Sequence, residues 1–125
     1  MTSEHLGNRL VPALLVNDMR ASLEFYQRLG FAITALHPDE ASPQWAEVKR
    51  DGVTLQFHVE PPHGMPASPT CSGTFYIYPD DVEALAAELR GRVQFEWGPE
   101  VMEYGMREFR VKDPNGYFIA FADPV

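Results

Sequence analysis

From Arg107 to Lys112 apolar and polar side chains alternate, with Phe109 and Val111 on one face and Glu108 and Arg110 on the other. This period of two predicts a half-buried strand. Asp113-Pro114-Asn115-Gly116 follows with the residues of a type I turn: an acid first, proline where its fixed φ fits, glycine last. Tyr117 to Phe121 then makes the second arm of a hairpin. Its Tyr117, Ile119 and Phe121 face a helix, and Phe118 and Ala120 face a cavity or partner.

The same alternation upstream predicts strands over Phe31 to Leu36, Trp45 to Arg50 and Val53 to Glu60, the last two joined by an Asp51-Gly52 turn. Leu10 to Val16 is a short apolar run containing Pro12, which has no N–H to give a ladder and so belongs at an edge. Met19, Leu23, Tyr26 and Leu29 recur at helical spacing after a cap at Asn17 or Asp18, and Gly30 supplies the stop. Pro61 to Thr70, with its prolines, Gly64 and His63, has no period and reads as a linker.

Beyond the linker the pattern restarts. Ser72 to Tyr78 is a strand, and Asp80 or Asp81 caps a helix with Val82, Leu85, Ala86 and Leu89 on one stripe and Gly91 at its end. Val93 to Trp97 is the next strand, Gly98 to Glu103 a loop, and the hairpin completes the unit. Both halves read strand, helix, strand, strand, strand. Aligning the caps, Asp18 with Asp81, gives an offset of 63 residues, close to half of the 125. The expectation is an α+β fold of two βαβββ modules in a single domain: module 1 over about 9–60, a linker at 61–70 and module 2 over about 71–123. Met1 to Asn8 is polar and without period, an arm that frays or packs on a neighbour.

Composition narrows the partners. Lys plus Arg of 10 against Asp plus Glu of 18 gives a net charge of −8, which disfavours nucleic acid and anionic membranes and weakly favours cationic or neutral ligands. The same acidity also serves plain solubility. No apolar run reaches membrane length and the start lacks a signal-peptide pattern, so a soluble, cytoplasmic protein is expected. The lone Cys71 cannot form an intrachain disulfide and reads as a small buried or half-buried strand residue. His58, Glu60 and His63 are close in sequence but lack a fourth partner, and His5 and His37 read as solvated. No Ser-His-Asp set or glycine-rich phosphate loop is present.

Val11-Pro-Ala-Leu-Leu-Val-Asn-Asp-Met-Arg-Ala-Ser-Leu-Glu-Phe-Tyr-Gln-Arg-Leu-Gly-Phe31, then Gly105-Met-Arg-Glu-Phe109 and Asp113-Pro-Asn-Gly116, resemble the vicinal oxygen chelate superfamily. This is the group of glyoxalases, bleomycin resistance proteins and extradiol dioxygenases, and the resemblance runs from Val11 to Asp123. Within it the chain is most similar to bleomycin resistance proteins, through the Val-Pro opening, the Arg-Glu-Phe strand and the Asp-Pro turn. The resemblance implies a curved mixed-sheet cup, a homodimer and no catalytic metal or other cofactor. Catalytic relatives hold a divalent ion with the first, fourth, fifth and eighth strands, positions that align here with Val11, Gln56, Thr74 and Ala120. Only Gln56 offers a usable neutral oxygen, too little to offset dehydration of the ion.

By strand parity the cup would be lined by Trp45, Glu47, Gln56, His58, Thr74, Tyr76, Glu108, Arg110 and Phe118, with Trp97 able to stack on the same ligand. Thr54, Glu60 and Tyr78 share those faces. Any one of these aromatics could equally fill a core or a dimer interface. The expected function is that of a bleomycin resistance type protein, metal-independent sequestration of an amphipathic, cationic small molecule. The alternatives are a diverged glyoxalase-like lyase or isomerase, with Gln56, His58, Glu60 or Glu108 as base, and an accessory dimer whose cup is plugged by its own side chains.

Overall fold

The computed structural model describes residues 5–7 and 9–125; the terminal positions 1–4 and Asn8, part of the expected arm, lie outside the described residues. The element order is β1 (Ala13–Leu15), α1 (Met19–Arg28), β2 (Ala32–His37), β3 (Trp45–Arg50), β4 (Val53–His58), β5 (Thr74–Ile77), α2 (Val82–Leu89), β6 (Phe95–Val101), β7 (Met106–Lys112) and β8 (Phe118–Pro124). The strands form two four-stranded sheets, ordered β1-β4-β3-β2 and β5-β8-β7-β6. In each, the first strand runs parallel to the last of its module while the other pairs are antiparallel. The architecture is the α+β, twice-repeated βαβββ arrangement that the periodicity predicts.

The helices begin where an acid can hold a free N–H. Asp18 accepts from Ala21 N at 3.1 Å and Asp81 from Ala84 N at 3.1 Å, caps that contribute about 1 kcal/mol each. Helix α2 has a second anchor, because buried Asp123 at the end of β8 accepts from Val82 N at 3.0 Å. A carboxylate there meets the positive end of the helix dipole. Each helix packs its apolar stripe on one face of its own sheet. Tyr26 lies 4.8 Å from Phe57, and Phe95, Phe109 and Phe121 stack in series across β6, β7 and β8 at 4.5 and 4.9 Å. Ala46, Val48, Leu55 and Phe57 from the first sheet and Phe109, Val111, Ile119 and Phe121 from the second join the helices in one continuous core.

Two polar junctions connect the modules. At the first, the Tyr26 hydroxyl donates to Asp113 Oδ2 at 2.7 Å, and Asp113 also receives Asn115 N at 2.8 Å and Tyr117 N at 2.9 Å. Asn115 in turn bonds Ser22 Oγ at 3.1 Å and accepts from Asn17 N at 2.8 Å, so the predicted turn is clamped onto the start of α1. Gly116 N closes the turn on Asp113 O at 3.0 Å. At the second junction Arg50 makes a bidentate pair with Glu88, both arms 2.8 Å, and donates to Leu29 O at 2.6 Å. An offset of 63 residues carries Arg50 onto Asp113 and Tyr26 onto Leu89, the neighbour of Glu88, so the two junctions occupy equivalent places in the repeat.

Several boundaries differ from the sequence reading. β1 keeps only Ala13–Leu15, since Pro12 cannot donate to the ladder. β6 runs through Gly98 to Val101, where a loop is expected, because a bulge absorbs the Gly98-Pro99 pair and pairing with β7 resumes at Glu100. Cys71 is exposed and precedes β5, which starts only at Thr74. Burial first, and then Asp113, raise the Tyr26 phenol far above the usual tyrosine range, so it stays a donor at any physiological pH. Replacing Tyr26 by Phe removes a bond to a buried carboxylate, and chemical denaturation should show a loss of about 1.5–3 kcal/mol.

Candidate functional site

The faces turned away from the helices carry the residues that alternation singled out, and the structure gathers them into two groups. On the first sheet, Glu47 is directly across from Gln56, and Trp45 from His58. Gln56 Nε2 donates to Glu47 Oε2 at 3.3 Å, and Thr34 Oγ1 to Glu47 Oε1 at 2.9 Å. These bonds, Thr34 before Gln56, hold the Glu47 carboxyl below its ordinary value, so it is a fixed anion. Trp45, Glu47, Gln56 and His58 are all half-buried, as side chains on an open sheet face should be.

The second sheet sets Thr74 beside Phe118, and aligns Tyr76, Ala120, Arg110 and Trp97 across its strands. Glu108, which parity places on the cup face, is fully buried here. Its carboxylate receives the Tyr76 hydroxyl at 3.3 Å and a short hydrogen bond from the Tyr104 hydroxyl. The bond to Glu108 is also the main reason that the Tyr104 phenol is raised above the usual range. Tyr104 was not legible as a site residue, because it belongs to no strand and reaches Glu108 from the turn before β7. Tyr78 stacks on Tyr76 at 6.0 Å.

Arg110 lies between two rings, its guanidinium carbon 5.3 Å from the centre of Trp97 and 5.2 Å from that of Phe118. Lys112 adds its ammonium over the Phe118 ring at 5.7 Å. Parity alone could have found Lys112, which is two residues beyond Arg110 on the same strand. The bulge in β6 is what brings Trp97 to this place. Gly98 adopts φ +89°, and a Cβ there would come within 2.5 Å of Glu108 O and 2.9 Å of Phe109 Cα.

No hydrogen bond, ion pair or ring contact among the described residues joins the first group to the second. The larger cavity, about 820 Å³, opens instead on the helix-bearing side between the modules, with Leu14, Leu55, Phe75, Ile77 and Phe121 in its walls. Its size suits a drug-like molecule. Of the residues expected on the cup faces, Thr54, Tyr76 and Tyr78 border it, and Arg50 and Glu88 at its rim satisfy each other. A second cavity of about 200 Å³ takes in His58 beside Leu15 and Tyr117.

The metal positions can be read from the register. Ala13, not Val11, is the β1 residue opposite Gln56, because Val11 precedes the shortened strand. Ala120 is opposite Tyr76, while Thr74 is opposite Phe118. An amide, two hydroxyl groups and two methyl groups do not fit a divalent ion that needs imidazole and carboxylate ligands. Among the described residues, no three His, Cys, Asp or Glu side chains come together as a metal-holding group.

Paired βαβββ modules with helices on one face and polar-aromatic open faces on the other define a class of α+β protein. The chain belongs to the Glyoxalase/Bleomycin resistance protein/Dioxygenase superfamily, whose sequence profile matches residues 5–121. No curated protein sequence matches it. Among solved structures it is similar to TnmS3, an antibiotic binding protein from Streptomyces sp. CB03234, at 24% identity and TM-score 0.74, over 98% of this chain and 100% of that one. A glyoxalase/bleomycin resistance protein from the same organism shares 26% identity over 90% of this chain and 97% of its own, with TM-score 0.68. A bleomycin-binding protein complexed with bleomycin gives 21% identity and TM-score 0.71, over 94% of this chain and 99% of that one.

No helix of the described residues is long and apolar enough to cross a membrane. Gly98→Ala should destabilise the chain by about 1–3 kcal/mol, through the strained φ and the contact with the β7 backbone. Near-ultraviolet circular dichroism should show a changed Trp97 environment at the same time.

Proposed function

We propose that the chain is a binding protein of the bleomycin resistance type, which sequesters an amphipathic small molecule without a metal ion. The observation that carries this reading is the composition of the two open faces. Together they offer Trp45, Trp97, Tyr76 and Phe118 as stacking surfaces and fixed charges at Glu47 and Arg110, but no set of metal ligands. Because no hydrogen bond, ion pair or ring contact among the described residues joins the two groups, the reading includes a homodimer in which the first sheet of one copy and the second sheet of the other enclose the ligand. Glu47, held ionised, suits a cationic portion of that ligand. Protection then follows mass action, with protein in excess over its ligand.

Titration calorimetry of dialysed protein with bleomycin, with and without copper, tests the reading. Saturable binding near one ligand per chain is expected, weakened about tenfold by Trp45→Ala or Phe118→Ala as stacking and apolar burial are lost. Heats that never saturate would remove bleomycin as the ligand.

One observation favours a second reading, a diverged lyase or isomerase. Glu108, buried under two phenols, has the surroundings of a proton-transfer group. Purified protein should give no turnover of a hemithioacetal above background. Turnover that disappears in Glu108→Gln would replace the binding reading.

A further inference from the structure

We propose that Arg110 is the recognition point for an anionic group, a carboxylate or ionised phenol, attached to a planar aromatic ligand. This deepens the binding reading and rests on it. A guanidinium offers five N–H donors in one plane, and its usual protein partner is a carboxylate that accepts two of them. Arg110 has no such partner: among the described residues it makes no ion pair, and its Nε is buried without a hydrogen bond. Trp97 and Phe118 supply only π faces, which stabilise the cation but accept none of its in-plane donors.

Glu108, the acid closest in sequence on the same face, makes no ion pair with Arg110 and instead accepts from the hydroxyls of Tyr76 and Tyr104. Lys112, over the same Phe118 ring, adds a second cation that is likewise without an ion pair among the described residues. A site of two cations flanked by aromatic rings suits a flat molecule that stacks while its acid group lies in the plane of the guanidinium. The charge of −8 works against long-range attraction of such an anion, so selectivity must come from these short contacts.

The test compares anthraquinone carboxylate with its neutral carboxamide, by titration against wild type, Arg110→Gln and Arg110→Lys, each checked for native circular dichroism. Wild type should bind the carboxylate at least about tenfold more tightly than the amide, with the preference shrinking as salt is added. Arg110→Gln should abolish the preference while still binding the amide, and Arg110→Lys, which keeps charge but loses the planar fork, should restore only part of it. Equal binding of the two probes by wild type would overturn the assignment of Arg110 and leave the binding reading standing. Failure of both probes to bind would overturn this inference, while the binding reading stands or falls separately on the bleomycin titration. A preference that survives Arg110→Gln, or a variant whose only change is a weaker dimer, would show that Arg110 serves something else, such as a carboxylate of a second copy.

Discussion

The fold depends on one buried carboxylate. Asp113 stands at the bend between β7 and β8, and it collects the Tyr26 hydroxyl and the N–H groups of Asn115 and Tyr117 in one place. A buried carboxylate is tolerated only when its oxygens are hydrogen-bonded, and here Tyr26 from one module and Asn115 and Tyr117 from the other supply the donors. Shaping the turn and docking the first helix are therefore the same event. Arg50 and Glu88 perform the equivalent service at the other end of the repeat with opposite chemistry, a bidentate ion pair where the first junction has a phenol and an acid.

With the modules held by these junctions, the helices and the inner faces of the sheets make a common apolar core, and the other faces remain available. What stands on those faces is not ordinary surface. Glu47 is held ionised by Thr34 and Gln56, Glu108 is buried beneath two tyrosines, and Arg110 is wedged between two rings. Each side chain is fixed by neighbours rather than by solvent, so little rotamer freedom is left to lose when something binds. The similarity to the antibiotic binding protein and to the bleomycin-binding protein, at 24% and 21% identity, is a likeness of fold.

The fold was legible where local chemistry decides local structure. Asp18 and Asp81 announce helix starts, Gly30 and Gly91 mark helix ends, and Asp113 to Gly116 is a turn in sequence and in space, because each signal is complete within a few residues. Alternation also placed Phe109 and Val111 inward and Glu108 and Arg110 outward. What could not be read depends on residues brought together from a distance. Gly98-Pro99 has the composition of a loop, yet pairing with β7 keeps it in a strand. Parity puts Glu108 on the cup face but gives no sign that Tyr104 closes over it. The shortening of β1 leaves Val11 before the strand and puts Ala13 opposite Gln56, a register that composition does not reveal.

The repeat itself has a further consequence. Two modules of common design have kept the same skeleton, down to the equivalent placing of their junctions, but their open faces differ: Glu47 lies against Thr34, Gln56 and Lys49 on one, and Arg110 lies between Trp97 and Phe118 on the other. A pair of identical halves would present the same chemistry to both ends of a guest and could not tell head from tail. Divergence between the halves gives the protein a polarity: its two ends differ in chemistry although they share one skeleton.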